Sequence, residues 1–118
     1  MKVVRVYTGD DNQSHFEDID LPFAPDGPGE LAPPLATNLV FSRRAPGGVQ
    51  DWHCAPRRQY VISLSGLTET EIGDGTKRQF GPGDILLAED LTGQGHITRW
   101  LGDEPRTSIW VPLGDQQP

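Results

Sequence analysis

Apolar and polar residues alternate in short runs along most of this chain. In the first run, Lys2 to Tyr7, the apolar Val4 and Val6 stand among the charged Lys2 and Arg5. Successive side chains of a β-strand point to opposite faces, so this pattern indicates strands with one buried face. The runs are short and are bounded by turn residues, and together they predict about ten strands: residues 2–7, 14–21, 35–45, 49–54, 59–64, 68–72, 76–80, 84–88, 95–101 and 106–111.

Three stretches add detail to this pattern. Residues 60–64 are largely apolar on both faces, which predicts a central strand. The sequence Gly73-Asp74-Gly75 is a strong signal for a hairpin turn. Residues 22–34 contain five prolines, too many for a helix or a central strand. We expect this segment to be extended over the surface, across the body of the domain or across a partner subunit.

Composition agrees with an all-β fold. The chain has 118 residues, which is the size of one domain with its own core, and it contains 14 glycines and 11 prolines. Many short strands joined by tight turns predict a sandwich or a jelly-roll barrel.

Net charge and hydrophobic content exclude several classes of partner. The formal charge of −7 would repel a nucleic-acid backbone, and the arginines form no long basic stripe. No apolar run reaches the length of about 18 residues that a membrane span needs, and the N-terminus lacks the apolar region of a signal peptide. We therefore expect a cytoplasmic protein that binds neither nucleic acid nor membrane.

The single cysteine, Cys54, cannot form an internal disulfide and belongs to no C-x-x-C pair. Strand alternation predicts that its side chain lies on the opposite face from that of His53. A buried structural thiol is the favoured interpretation, and a redox-sensitive role near the site is the alternative.

Two segments carry motifs with a defined spacing. Five residues separate Gly47 from His53, and one residue separates His53 from Ala55. Three residues then separate Ala55 from Gln59, and six separate Gln59 from Gly66. This stretch resembles the first motif of the cupin superfamily, G-x5-H-x-H-x3-E-x6-G, with Ala55 in place of the second histidine and Gln59 in place of the glutamate.

The second segment, residues 80–96, resembles the second cupin motif. It contains a Pro-Gly-Asp turn at residues 82–84, followed by an apolar strand and by Gly93 and His96 at the spacing P-x-G-x2-H. Leu91 replaces the proline of that motif, and Trp100 stands where an asparagine is common. The resemblance covers residues 40 to 112.

The resemblance implies a single cupin domain over residues 1–118, with two antiparallel sheets forming a double-stranded β-helix barrel. The barrel would span residues 35–112, after N-terminal strands and the proline-rich segment in residues 1–34. Homodimers are common in this superfamily, so a homodimer is expected.

The resemblance also implies a site. Its metal ligands would be His53, Gln59 and His96, and the metal would be Fe, Mn, Ni, Zn or Cu. Because Ala55 offers no donor and Gln59 carries no charge, weak binding or no metal is expected. Without a metal, His53 and His96 remain competent general acids or bases, so both are candidate catalytic residues. Alternatively, they are buried, hydrogen-bonded structural residues.

Several other residues are candidates for substrate binding. Arg57 and Arg58, in the turn between the motif strands, would fork onto a substrate carboxylate, or would only be solvated. Trp100 shares a face with His96 and Thr98 and is a candidate cavity wall, or else a core or dimer residue. Tyr60 is a further aromatic candidate.

Three remaining groups of charged or titratable residues have less specific interpretations. The pair Arg43-Arg44 is either a solvated strand end or a contact to an anionic substrate. Glu89 and Asp90 are either a proton-transfer carboxylate at the rim or loop acids that face water. His15, with polar neighbours, is expected to be exposed.

The favoured function is an enzyme that isomerises, eliminates or cyclises a small polar carbonyl or carboxylate compound, with metal or histidine acid–base assistance. A cupin oxygenase is less favoured because its iron needs a full ligand set. The main alternative is a non-catalytic ligand-binding or sensor cupin. A third option, an interaction domain, predicts a filled interior.

Overall fold

A computed structural model describes residues 1–23 and 29–116 of the chain. The described residues form ten strands and no helix: β1 (Lys2–Thr8), β2 (Ser14–Asp20), β3 (Val40–Arg44), β4 (Val49–His53), β5 (Gln59–Ser65), β6 (Leu67–Glu71), β7 (Lys77–Phe80), β8 (Ile85–Glu89), β9 (His96–Leu101) and β10 (Arg106–Pro112). The all-β prediction is confirmed, and most strand boundaries lie within one residue of those predicted.

The strands form two sheets that face each other as a jelly-roll sandwich. One sheet has six strands in the order β2-β1-β8-β5-β10-β3, and the other has four in the order β4-β9-β6-β7. β5 lies between β8 and β10, which confirms that residues 60–64 belong to a central strand. β6 and β7 are joined by the predicted Gly73-Asp74-Gly75 turn.

The structure differs from the predicted elements in two places. β1 pairs in parallel with β8, whereas antiparallel sheets were expected. This pairing adds the N-terminal hairpin to the edge of a strand that is distant in sequence. The strand predicted over residues 35–45 begins only at Val40. Before it, Ala36 makes an isolated bridge to Leu113, and Thr37 N donates to the carbonyl of Pro112. These local bonds take the place of a continuous ladder.

The proline-rich segment is described only at its ends. Residues 21–23 and 29–34 have no regular structure, as predicted, and residues 24–28 lie outside the described part of the chain. The described residues contain no helix that is long and apolar enough to cross a membrane.

The apolar core is divided between the two faces of the six-stranded sheet. On the inner face, Val6 and Ala88 pack with Ala55 and Ile72. On the outer face, Val3, Leu87 and Leu113 form a second cluster. The apolar core is therefore not confined to the space between the sheets.

Candidate functional site

A cavity of about 340 Å³ lies between the two sheets. Exposed residues such as Arg44, Gln50 and Pro56 contribute to its lining, so the cavity reaches the surface. Its volume is that of a site for a small molecule. An interior filled by side chains, which the interaction-domain reading requires, is not what the structure has.

Two histidines meet in this cavity. His53 is the last residue of β4 and His96 is the first residue of β9, and they are directly opposite each other in the ladder. Their ring centroids are 4.4 Å apart, and the ring planes are inclined at 60°. Gly95 makes this approach possible. Its φ is +77°, and a Cβ at this position would collide with the carbonyl of His53.

Asp90 orients the ring of His96. Its Oδ2 lies 2.5 Å from His96 Nδ1 and also accepts a 2.7 Å hydrogen bond from the Ser14 hydroxyl. Asp90 is fully buried, and Ser14 and His96 are nearly so. A carboxylate only accepts hydrogen bonds, so this contact fixes the proton on Nδ1 and leaves Nε2 for a ligand in the cavity.

The expectation that Glu89 and Asp90 lie at a solvated rim was wrong. Both are buried, and they point to opposite faces of the sheet because they are adjacent in sequence. Asp90 faces His96, whereas Glu89 is held on the outer face by Arg5 and Arg58. Asp90 therefore reaches the site, whereas Glu89, one residue before it, does not.

His53 is oriented by the backbone. Its Nδ1 lies 2.8 Å from the carbonyl oxygen of Asp51, to which it donates. Burial lowers the pKa of His53 below its ordinary value of 6.5 and outweighs the hydrogen bond to the Asp51 carbonyl, which raises it; the neighbouring His96 lowers the pKa further, and Asp90 opposes this. A neutral imidazole is therefore favoured at this position.

Cys54 also lines the cavity, which corrects the expectation that it faces away from His53. β4 ends at His53, so strand alternation no longer applies to the next residue. The thiol lies 3.3 Å from the carbonyl of Gly93. Burial raises the pKa of Cys54, and the charge of Asp90 raises it further, so the thiol is not an activated nucleophile.

The donor set does not fit a firmly held catalytic metal. Each imidazole has its Nδ1 fixed by an oxygen acceptor, as metal-ligating histidines do. Ala55 contributes no donor, however, and Gln59 Oε1 already accepts a 2.9 Å hydrogen bond from Arg57 Nε. Among residues 1–23 and 29–116, no three His, Cys, Asp or Glu side chains are grouped so that they could hold a metal ion.

The turn arginines lie outside the cavity lining. Arg58 pairs with Glu89 at 2.5 Å and also donates to the carbonyl of Asp115. Arg57 Nε donates to Gln59, and the guanidinium carbon of Arg57 lies 6.0 Å from the ring centroid of Trp110. Tyr60 points to the outer face, where it packs against the cluster of Val3, Leu87 and Leu113.

The cavity wall on β9 follows the predicted alternation. His96, Thr98 and Trp100 all line the cavity. The guanidinium of Arg44 lies 4.3 Å from the centroid of the Trp100 ring. Of the two arginines considered at residues 43 and 44, Arg44 thus lines the cavity.

His15 lies outside the cavity and pairs with Asp11 at 2.9 Å.

Arg106 is a charged cavity residue that the sequence analysis missed. It is only 7% exposed and lines the cavity together with Ser108 and Trp110. The signal was present in the sequence, because these three residues share one face of a single strand. When a charged residue lies on the same face of a strand as a tryptophan that points inward, the interior must accommodate a polar group.

Comparison with known proteins supports the fold assignment. The chain is similar to an uncharacterised conserved protein with a double-stranded β-helix domain from Klebsiella pneumoniae, with 28% identity, 70% of each chain covered and a TM-score of 0.50. It is also similar in fold to the polyketide cyclase RemF from Streptomyces resistomycificus, with 18% identity, 98% of this chain and 77% of that chain covered and a TM-score of 0.54. No family model and no curated protein sequence matches the chain.

Proposed function

Because this chain has the double-stranded β-helix fold of the cupin superfamily, we propose that it is an enzyme that applies histidine acid–base chemistry to a small polar carbonyl or carboxylate compound. The reaction would be an isomerisation, an elimination or a cyclisation. The observation that carries this proposal is the buried contact between Asp90 and His96 beside the ring of His53.

His96 is the proposed general base. With Nδ1 bonded to Asp90, Nε2 takes a proton from the carbon next to a substrate carbonyl, and the electron pair of that C–H bond moves onto the carbonyl oxygen to form an enolate. Asp90 stabilises the imidazolium that results. His96 then returns the same proton to another carbon in an isomerisation, or to a leaving group in an elimination. In a cyclisation, the enolate carbon bonds to a second carbonyl carbon of the same compound, and the proton goes to the alkoxide that results.

His53 and the hydroxyl groups of the cavity have supporting roles. The lowered pKa of His53 keeps it neutral while His96 carries the proton, so two imidazolium charges are not brought together. Thr70 and Thr98 are directly opposite each other on β6 and β9, and both line the cavity. Their hydroxyls supply neutral donors for the enolate oxygen.

A divalent cation is not part of these steps. We propose that such an ion is held by His53 and His96 alone and therefore weakly, because two neutral imidazoles leave a divalent charge unbalanced. The similarity in fold to a polyketide cyclase supports keeping cyclisation among the proposed reactions.

A non-catalytic ligand-binding cupin is the second candidate. It is supported by the replacement of two ligand positions of the first motif by Ala55 and Gln59. In this reading, the histidines hydrogen-bond a ligand and transfer no proton.

Proton exchange in D₂O tests the first proposal against the second. Small enolisable ketones, keto acids and diketones are first ranked by binding, and those that bind are incubated with the protein while the α-proton signal is followed by NMR. We expect the wild-type protein to exchange the α-proton, and His96→Asn and Asp90→Asn to lose the exchange while they remain folded. Ligands that occupy the cavity without exchange or conversion would identify a binding protein.

A further inference from the structure

Arg106 carries a buried positive charge for which the described residues provide no hydrogen-bonding partner at Nη1. The residue is 7% exposed and begins β10. Burial lowers its pKa, and the more distant Asp84 opposes that effect. Among residues 1–23 and 29–116, no hydrogen bond or salt bridge joins Asp84 to the guanidinium, and Asp84 Oδ2 accepts from the backbone N–H of Gly81.

The fold builds this position by a close backbone approach. Gly66, the last glycine of the first motif, has a φ of +76°, and a Cβ there would lie 2.7 Å from the Cα of Arg106. The absence of a side chain at Gly66 allows β10 to start against the β5–β6 connection. From this start, Arg106 faces the cavity on the same side as Ser108 and Trp110.

A buried guanidinium whose Nη1 has no partner among the described residues is an unusual wall for an interior cavity. Arginine does not lose its proton in proteins, so neutralisation cannot relieve the cost of taking it out of water. Buried charges are ordinarily paired for this reason. A bound anion would supply the missing acceptor at Nη1.

A second arginine lies at the same end of the cavity. Arg44 is directly opposite Arg106 in the β3–β10 ladder, and its guanidinium stacks on Trp100. The histidines lie at the other end. Trp100 is four residues beyond His96 on β9, which corresponds to about 13 Å at the usual rise of a strand. The cavity therefore has a basic, aromatic end and an imidazole end.

We propose that Arg106, assisted by Arg44, binds a carboxylate of the substrate, so that the compound spans the cavity with its carboxylate at the arginines and its reacting carbon at His96. The placement of the reacting carbon at His96 rests on the proposed function, whereas the carboxylate site at the arginines does not. A planar guanidinium forks onto a carboxylate with two parallel hydrogen bonds. Phosphate and sulfate share this chemistry, but their dianions suit a chain of net charge −7 less well.

Calorimetric titration with matched compounds tests the anion site without turnover. The probes are keto acids and the primary amides of the same acids, with inorganic phosphate and sulfate as competing anions. We expect wild-type protein to bind the carboxylates about 10- to 100-fold more tightly than the amides, as is typical of a hydrogen bond to a charged group. Equal affinity for acid and amide, or displacement of the acid by phosphate or sulfate at the same or lower concentration, would overturn the proposal.

Three variants assign the preference to Arg106. Arg106→Gln removes the charge and should bring acid and amide to within about twofold of each other, whereas Arg106→Lys keeps the charge, loses the fork and should be intermediate. Arg43→Gln is the matched control, because Arg43 is the neighbouring arginine that does not line the cavity, and it should keep the wild-type preference. A full preference for the acid in Arg106→Gln contradicts the proposal.

Two further readouts separate this inference from the proposed function. Without ligand, Arg106→Gln should melt at the same temperature as wild type or higher, because an unpaired buried charge is removed; a clear fall would indicate a structural arginine instead. Carboxylate-selective binding without proton exchange would leave the anion site intact and reject the enzyme. Exchange that is equally fast for acids and amides would reject the anion site and leave the enzyme.

Discussion

His53 and His96 are directly opposite each other in the β4–β9 ladder, and their rings meet at a centroid distance of 4.4 Å. Each ring has its Nδ1 bonded to an oxygen, from the Asp51 backbone in one case and from the Asp90 side chain in the other. The two Nε2 atoms are thus the free nitrogens at one end of the cavity. This relationship gives the site its chemistry and makes it sensitive to the backbone that brings the two strands together.

Gly95 is the first test of that backbone. Replacing Gly95 by Ala imposes a left-handed φ on alanine and drives its Cβ into the carbonyl of His53. Gly75→Ala is the matched control, because Gly75 has a φ of +88° and open space around it. The control should lose about 1–2 kcal/mol of unfolding free energy through strain alone. Gly95→Ala should lose about 1–3 kcal/mol more, through overpacking.

Urea unfolding of the two alanine variants measures this difference. Ligand affinity should fall only in Gly95→Ala, because only this substitution displaces a histidine. Equal losses of stability in the two variants would mean that the contact between Gly95 and His53 does not constrain the site.

The lowered pKa of His53 predicts a pH dependence of stability. Because the folded pKa is below 6.5, the unfolded chain binds the proton more readily in acid. The stability contributed by neutral His53 is therefore complete above pH 6.5 and is lost as the pH falls through the folded pKa. Denaturant unfolding of wild type and His53→Asn from neutral pH downward should show a smaller loss in the variant. Parallel curves would show that His53 does not titrate abnormally.

Restoring the ligand positions of the first motif should create a metal site. Ala55→His combined with Gln59→Glu adds an imidazole and a carboxylate next to His53 and His96, and so completes a charged ligand set. Elemental analysis after purification should find less than one equivalent of divalent metal in wild type and close to one in the double variant. A full equivalent of tightly bound metal in wild type would contradict the weak site proposed above.

The predicted homodimer has a candidate surface. Phe41, Ile109, Ile62 and Ile85 are ladder neighbours across β3, β10, β5 and β8, on the face opposite the cavity. Phe41 is 77% exposed. A row of this kind is typical of a buried interface. Light scattering coupled to gel filtration should find a dimer for wild type and a monomer for Phe41→Glu. A wild-type monomer would remove the dimer from this account.

The strands followed from alternation, because a period of two fixes which side chains share a face. The two sheets and the approach of the two histidines followed from the resemblance of the two motifs to those of the cupins. The side chains that surround them did not follow. Cys54 lies just beyond the end of β4, where alternation no longer determines direction, whereas Asp90 continues the alternation of β8 but was expected at a solvated rim. Arg58 was assigned to the cavity from its position in a turn, yet its partner Glu89 comes from β8, a strand that is distant in sequence. Arg106 was in phase with the cavity, but no motif drew attention to it.

The central claim is that Asp90 holds His96 with its proton on Nδ1 and with Nε2 free to act as a base. Nitrogen-15 NMR of the imidazole rings, in neutral to weakly alkaline solution, measures this directly. We predict that the wild-type protein shows a protonated Nδ1 and an unprotonated Nε2 at His96, and that Asp90→Ala relaxes this preference. A neutral His96 ring with its proton on Nε2 in the wild-type protein would contradict the account.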